Sequence, residues 1–127
     1  PSERGRGGNQ LSERFRAFLD EGERCPPDRL REARDLAAQA RRELHDVFAR
    51  VDALVTPAAA GEAPVGLQST GDPAFSRTWT LLGCPCISLP VLKGPAGLPV
   101  GLQLVAAPGE DERLVAVAAW VEKQLPR

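Results

Sequence analysis

The sequence predicts an α/β fold in which about four helices accompany three short strands. Two observations support this prediction. Apolar residues recur at steps of three and four over several segments, and short apolar runs bounded by proline and glycine lie between them. With 127 residues, 43% of them hydrophobic and 26% charged, the chain has the composition of a globular domain or of a piece of one.

Four segments have the spacing of amphipathic helices. The first has Gly22 in a place suited to its C-terminal cap. The second is the most regular, because apolar steps of three and four continue for about six turns behind a capping residue, Asp28. In the third, Asp72 is suited to cap the helix and Pro73 to begin it. The predicted helices cover residues 10–21, 28–51, 72–83 and 110–124.

Three apolar runs predict short strands, at residues 52–57, 86–91 and 98–106. The last two flank a turn sequence, KGPAG, which predicts a hairpin. The final strand has two faces that are both mostly uncharged, as in a strand covered on both sides. These faces consist of Val100, Leu102 and Leu104 on one side and of Gly101, Gln103 and Val105 on the other. A lone hairpin is marginally stable, so this one needs more strands beside it than the sequence supplies.

Residues 58–71 are rich in alanine, glycine and proline and show no periodicity. A loop of this length is uncommon in a compact domain and indicates a functional role. Residues 1–9 are rich in glycine and arginine. We therefore expect a flexible N-terminal segment with a short helix over residues 1–27 and a folded portion over residues 28–127.

Charge and composition argue against several classes of partner. A formal net charge of −1 provides no strong field to hold nucleic acid or an anionic membrane. The longest apolar runs are far shorter than the roughly 20 residues that a membrane helix needs. Three cysteines form no disulfide framework, so a reducing cytoplasm is the expected location.

Several motifs in the second half of the chain are not generic. They are DALVTP at 52–57, TGDPAFSRTWTLLGCP at 70–85, ISLP at 87–90, GLPVGLQLV at 97–105 and DERL at 111–114. In this order and rough spacing they closely resemble the C-terminal end of amidase-signature enzymes. The resemblance covers about residues 28–124.

The resemblance implies that this chain is a fragment of the α/β/α fold of that family, which is built around a mixed sheet. It also implies hydrolysis of an amide C–N bond, or amide transfer in the glutamyl-tRNA amidotransferase branch, without a metal or organic cofactor. The family's catalytic apparatus is a Ser–cis-Ser–Lys triad in a Gly/Ser-rich segment, where a neutral lysine can activate the serine hydroxyl. No such segment occurs in this sequence. We therefore expect no catalytic residue in this chain and a triad in a missing N-terminal portion.

The same resemblance indicates which residues would form part of the substrate-pocket wall. In the family, the loop before the third helix lies near the pocket. The residues at this place are Asp72, Phe75, Ser76 and Trp79. Three of them also have an ordinary structural role open to them, because Asp72 would cap the helix and the two aromatic side chains would pack in a core. Ser76 stands where many relatives carry asparagine.

Other residues with reactive side chains favour structural roles. His45, the only histidine, falls on the surface of the second helix, and a Ser88–Lys93 dyad would need a neutral lysine in an exposed turn. Cys84 and Cys86 are separated by one residue, whereas a redox motif has two, so both are expected to be small buried hydrophobes. One histidine with scattered cysteines gives no zinc spacing, and no metal site is expected.

Two functional hypotheses follow. In the first, the chain is the C-terminal portion of an amidase that acts on a small-molecule amide. A role like that of the A subunit of an amidotransferase is less favoured, because nothing basic or aromatic points to tRNA. In the second hypothesis, the chain is a stand-alone, non-catalytic remnant or interaction module that uses a sheet edge and the long amphipathic helix. The expected partners are the amide substrate and either the missing N-terminal portion or a second copy in a homodimer.

Overall fold

The computed structural model describes residues 11–125 of the chain. The helices α1–α4 span Glu13–Glu23, Pro27–Phe48, Ala74–Leu82 and Asp111–Gln124, and the strands β1–β3 span Leu54–Pro57, Cys86–Lys93 and Pro99–Val105. The predicted α/β class is confirmed, since residues 11–125 contain four helices and three strands in the predicted order. By its internal contacts the chain divides into two units, of which the first ends at Leu36 and the second begins at Ala37, within α2. The division predicted after residue 27 stays a prediction.

The first unit contains α1 and the beginning of α2. Ser12 caps α1, since its Oγ accepts a hydrogen bond from the backbone N–H of Phe15 at 3.3 Å. The cap predicted at Gly22 is wrong, because the helix continues through this residue and Arg24 caps it instead. The rings of Phe15 and Phe18 stack with their centroids 6.4 Å apart, and both side chains are exposed.

In the second unit the strands form one sheet in the order β1–β3–β2. The central strand β3 pairs antiparallel with both neighbours, so that Leu104 lies opposite Val55 on one side and opposite Ile87 on the other. Both pairings within the described residues are antiparallel, so this part of the chain does not itself contain the mixed sheet implied for the whole family fold. β2 has an irregularity between Pro90 and Leu92, which suits a proline on an edge strand.

The two faces of β3 pack into separate apolar clusters. Val105 is fully buried with Phe48 of α2 and Leu82 of α3. Leu104, which is 1% exposed, packs on the opposite face against Leu114 of α4. The predicted alternation of this strand and its cover on both faces are therefore present. Burying each of these large aliphatic side chains contributes about 1.5–3 kcal/mol.

One polar side chain lies in this core. Gln103 is 5% exposed, and its Nε2 donates to Thr56 Oγ1 at 3.1 Å and to the backbone carbonyl of Phe75 at 3.0 Å. Its burial is tolerated because the amide N–H groups are hydrogen-bonded. Gln103 thereby connects β3 to β1 and to the beginning of α3.

Both ends of α3 are held by specific hydrogen bonds. At its N-terminus the cap position is held by Pro73, one residue later than predicted, because the helix begins at Ala74 and not at Pro73. Asp72 precedes the cap, and its Oδ1 accepts a hydrogen bond from the backbone N–H of Ala74 at 3.0 Å. At its C-terminus Gly83 has φ 74°, in the left-handed region that favours glycine. The guanidinium of Arg41, from α2, donates to two carbonyls of the last turn at 2.6 and 3.2 Å.

The long loop over residues 58–71 folds back onto the hairpin between β2 and β3. The carboxylate of Glu62 accepts hydrogen bonds from the N–H groups of Ala96, at 3.0 and 3.1 Å, and Leu98, at 2.8 Å. A side chain at Gly94 would collide with the side chain of Glu62 and displace its carboxylate. The loop is therefore anchored to the hairpin through its only charged residue.

We expect Gln103→Leu to lower the free energy of unfolding by about 1–3 kcal/mol, because it removes the donor to Thr56 and Phe75 from a buried site. Urea unfolding of the natural polypeptide measures this change. Gln39→Leu is the matched control: this exposed amide bonds only to Glu43, on the same helix, and its loss should change the free energy by less than about 0.5 kcal/mol. Equal effects of the two variants would contradict the role of Gln103.

We expect Glu62→Gln to accelerate hydrogen exchange at the amides of Ala96 and Leu98 by about tenfold, because a neutral amide oxygen accepts more weakly than a carboxylate. Exchange followed by mass spectrometry or NMR measures the effect. Glu112→Gln, an exposed carboxylate on α4, should leave these amides unchanged. Unchanged exchange in Glu62→Gln would show that the loop is not held by this residue.

Candidate functional site

The anchored loop forms one side of a cavity of about 550 Å³, which is within the range of small-molecule pockets. Most of the lining is small and apolar, because alanine, glycine and proline residues of the loop meet Pro99 and Gly101 of β3. The residues with polar side chains in the lining are Glu62, Thr70, Asp72 and Ser88. The cavity therefore combines space for an apolar group with a few hydrogen-bonding groups.

Gly101 lets the loop approach the sheet closely. An added Cβ at this position would lie 2.9 Å from the Cβ of Ala58 and would collide with the hydroxyl of Ser88. The backbone makes use of this proximity, since the N–H of Ala58 donates to the carbonyl of Gly101 at 3.0 Å. A glycine in the interior of this strand thus leaves room for the side chains of Ala58 and Ser88 on either side of it.

The charged part of the lining is acidic. The carboxylate of Glu62 is engaged by the hairpin, whereas Asp72 is exposed and uses one oxygen for the Ala74 N–H. The Asp72 carboxylate retains acceptor capacity for donors of a ligand. Among the lining residues that the structure describes there is no lysine, arginine or histidine. The cavity is suited to a neutral ligand or to one with N–H donors, and it disfavours an anion.

The structure brings only one of the four expected pocket residues to this cavity. Asp72 lies in its lining, whereas Phe75, Ser76 and Trp79 do not. Trp79 is half-buried and packs against the cluster on the α2 side of the sheet, and Phe75 is half-buried next to Gln103. Ser76 is exposed on α3. The geometry favours core packing for the two aromatic residues, and the assignment of all four to a substrate pocket stays a prediction.

The thiols have different environments. Cys84 is buried, and this burial raises the pKa of its thiol, although the Arg41 guanidinium acts in the opposite direction. It is therefore protonated near neutral pH and a poor nucleophile. Cys86 is exposed, so the expectation that both cysteines are buried is wrong for this residue. Ile87 and Leu89 lie on the face of β2 that packs against α4, whereas Cys86 lies on the opposite face, which α4 does not cover.

The remaining side chains considered for chemistry lie on the surface. His45 is exposed on α2, as expected, and Lys93 is exposed at the end of β2. Over residues 11–125 there is no cluster of three or more histidine, cysteine or acidic residues able to hold a metal ion. Within the same described part of the chain, no helix has the length and hydropathy needed to cross a membrane.

Sequence reasoning missed Glu62, Ser88 and Gly101 as parts of the lining. Glu62 has a usable signal, since it is the only charged residue in the loop over residues 58–71. Ser88 and Gly101 have none, because they meet only through the pairing of β2 with β3, where Gly101 lies opposite Pro90.

The chain matches a family of known proteins. The family model described as Amidase matches residues 6–115. The A subunit of mitochondrial glutamyl-tRNA(Gln) amidotransferase from Mus musculus is 38% identical over 90 residues, which cover 63% of this chain and 17% of that protein. The corresponding protein from Azorhizobium caulinodans is 38% identical over 96 residues, which cover 68% of this chain and 20% of that protein. The chain thus spans about a fifth of the length of these curated relatives.

Two solved structures have the same fold over nearly all of this chain. The crystal structure of an amidase matches with a TM-score of 0.75 and 30% identity, covering 97% of this chain and 31% of that one. The structure of 6-aminohexanoate cyclic dimer hydrolase matches with a TM-score of 0.59 and 27% identity, covering 94% and 26%. The resemblance found in the sequence motifs is thereby confirmed. Because the family model covers residues 6–115, which is most of the chain, this chain belongs to the amidase family.

Proposed function

We propose that this chain forms the C-terminal part of an amidase that hydrolyses the C–N bond of a small-molecule amide, and that it supplies part of the substrate-pocket wall. The observation that carries the proposal is the cavity of about 550 Å³ beside Asp72, in a chain of the amidase family. In this role the chain holds and orients the substrate. The chemical step belongs to residues outside it, because the sequence contains no Gly/Ser-rich segment of the family type.

The proposed reaction begins when a serine hydroxyl outside this chain attacks the amide carbonyl carbon while a base takes its proton. The tetrahedral intermediate then collapses, the C–N bond breaks, and the nitrogen takes a proton as the amine leaves. Water hydrolyses the remaining acyl-serine ester and releases the acid. Correct orientation of the amide lowers the barrier for the first step.

The residues of this chain suit that orienting role. The exposed Asp72 carboxylate has acceptor capacity for an N–H group or an ammonium group of the substrate. The small side chains around Gly101 leave room for the part of the substrate that does not react. Because the lining carries carboxylates and no cation among the described residues, we propose a neutral or amine-bearing amide as the substrate class.

A second candidate function is that of the A subunit of an amidotransferase. The observation in its favour is the 38% identity to this component of glutamyl-tRNA(Gln) amidotransferase from two organisms. The solved amidase and the cyclic dimer hydrolase favour hydrolysis instead, and the net charge of −1 gives this chain no strong positive field to attract tRNA. We propose a cytoplasmic location for either function, because the three cysteines are free thiols.

We expect Asp72→Asn in the natural polypeptide to lower kcat/KM for a small neutral amide by about tenfold, or about 1.4 kcal/mol, because it removes the negative charge from the pocket wall. The asparagine oxygen can still accept the N–H of Ala74, so the melting temperature should change little. Steady-state kinetics and a thermal melt measure the two effects. Asp28→Asn, an exposed carboxylate that does not line the cavity, should change neither quantity. Unchanged kinetics in Asp72→Asn would exclude Asp72 from substrate binding.

The intact mass of the natural polypeptide separates the amidase proposal from a stand-alone module. We expect a mass several times 13.6 kDa, because this chain covers only 31% of a solved amidase and 17% of a curated relative. Mass spectrometry after immunoprecipitation from the source cells measures it. A mass near 13.6 kDa without release of ammonia or amine from amides would favour a non-catalytic remnant or interaction module instead.

The amidase and the amidotransferase differ in the substrates and partner proteins that their activity requires. A hydrolase should release ammonia or amine from a free amide without other substrates. Ammonia release that depends on charged tRNA and on partner proteins would favour the amidotransferase function.

A further inference from the structure

An apolar groove of about 560 Å³ lies between β1 and α4, away from the cavity described above. Val55 of β1, Leu104 of β3 and three residues of α4, namely Val117, Trp120 and Val121, lie in its lining. None of these five residues belongs to the lining of the Asp72 cavity. The groove is therefore a separate surface, with its own chemistry.

The groove exists because α4 covers only part of its face of the sheet. Leu114 and Ala118 of α4 pack with Leu89 of β2 and Leu104 of β3. Val55 lies directly opposite Leu104 and on the same face, yet it is 61% exposed. β1 is an edge strand in the sheet of the described residues. Among residues 11–125, no helix of this face is therefore placed above β1.

Trp120, like Val55, is a large apolar side chain that is mostly exposed to water. It borders the groove from α4 and is 64% exposed, although an indole ring of this size contributes strongly when it is buried. The ion pair between Asp52 and Arg113 lies at the rim of the groove. An apolar centre with a charged rim is typical of a surface that packs against another element.

We propose that this groove is the docking site for an amphipathic α-helix from the part of the amidase fold that this chain does not contain. The chain corresponds to 31% of a solved amidase, so more than two thirds of that fold lies outside it. In layered α/β folds, helices lie side by side on a face of the sheet. The docked helix lies beside α4 and above β1, with apolar residues at helical spacing against Val55 and Trp120. The inference rests on the proposed function in one respect, because it requires the natural polypeptide to contain the rest of the amidase fold.

Hydroxyl-radical footprinting of the natural polypeptide tests this inference with a matched pair of valines. Val55 in the groove and Val115, on α4 but outside the lining, are 61% and 60% exposed in this chain. With a helix in the groove, Val55 should be labelled at least about fivefold more slowly than Val115, because water no longer reaches it. Equal labelling rates would overturn the proposal.

A pair of variants gives an independent readout. Trp120→Glu should lower the melting temperature by at least about 4 °C, because it buries a charge against the docked helix, whereas Val115→Glu should shift it by less than about 1 °C. Equal shifts would overturn the proposal. If the protection of Val55 disappears on dilution, as a dimer dissociates, the groove is covered by a second copy of this chain and the helix proposal is overturned.

Neither readout uses catalysis, so the two proposals can fail separately. A protein that hydrolyses no amide but protects Val55 would keep the docking inference and lose the proposed reaction. An active amidase in which Val55 and Val115 are labelled equally would keep the proposed reaction and lose the docking inference.

Discussion

The rest of the second unit depends on the burial of β3 from both sides. Leu104 and Val105 are neighbours in sequence and point to opposite faces, and both are almost completely shielded from water. A strand of this kind needs a helical layer on each face, since an open face would leave one apolar set in water. The helices α2 and α3 supply one layer and α4 the other.

The cavity is a consequence of how this sheet ends. β1 stops at Pro57, and Ala58 continues beside β3 with a hydrogen bond to the carbonyl of Gly101, where the strand has no side chain to collide with Ala58. Glu62 fixes the far part of the loop to the turn between β2 and β3. Asp72, which accepts a hydrogen bond from the first residue of α3, borders the same space. The loop over residues 58–71 thus has a defined position. It is fixed at one end by the short strand β1 beside β3 and further along by the carboxylate of Glu62.

Local patterns in the sequence predicted most of the fold. The helical periodicity and the alternation in β3 predicted the number, order and faces of the elements, because these depend on neighbours within a few residues. The cap at Gly22 was wrong, since a glycine without a Cβ can also continue a helix, as it does here before Arg24. The exposure of Cys86 was missed because it depends on which face of β2 a helix covers.

The candidate site was much less predictable. Asp72 was found through its motif, but Glu62 and Ser88 reach the cavity through contacts that join distant parts of the chain. The carboxylate of Glu62 bonds to residues 34 and 36 positions away, and no local periodicity encodes such a pairing. Trp79 packs against the apolar cluster on the α2 side, the structural role that its sequence position also allowed, and its assignment to a substrate pocket stays a prediction.

The hydrogen bonds of Gln103 also determine when this unit can assemble during synthesis. Its side chain reaches back 47 residues to Thr56 and 28 residues to Phe75. Until β3 has left the ribosome, β1 has no partner strand among the described elements and the beginning of α3 has no link to the sheet. Contacts of such long range close slowly, and the apolar surfaces that await them are open to aggregation in the meantime. The nascent chain therefore has an interval in which protection by a chaperone is most useful.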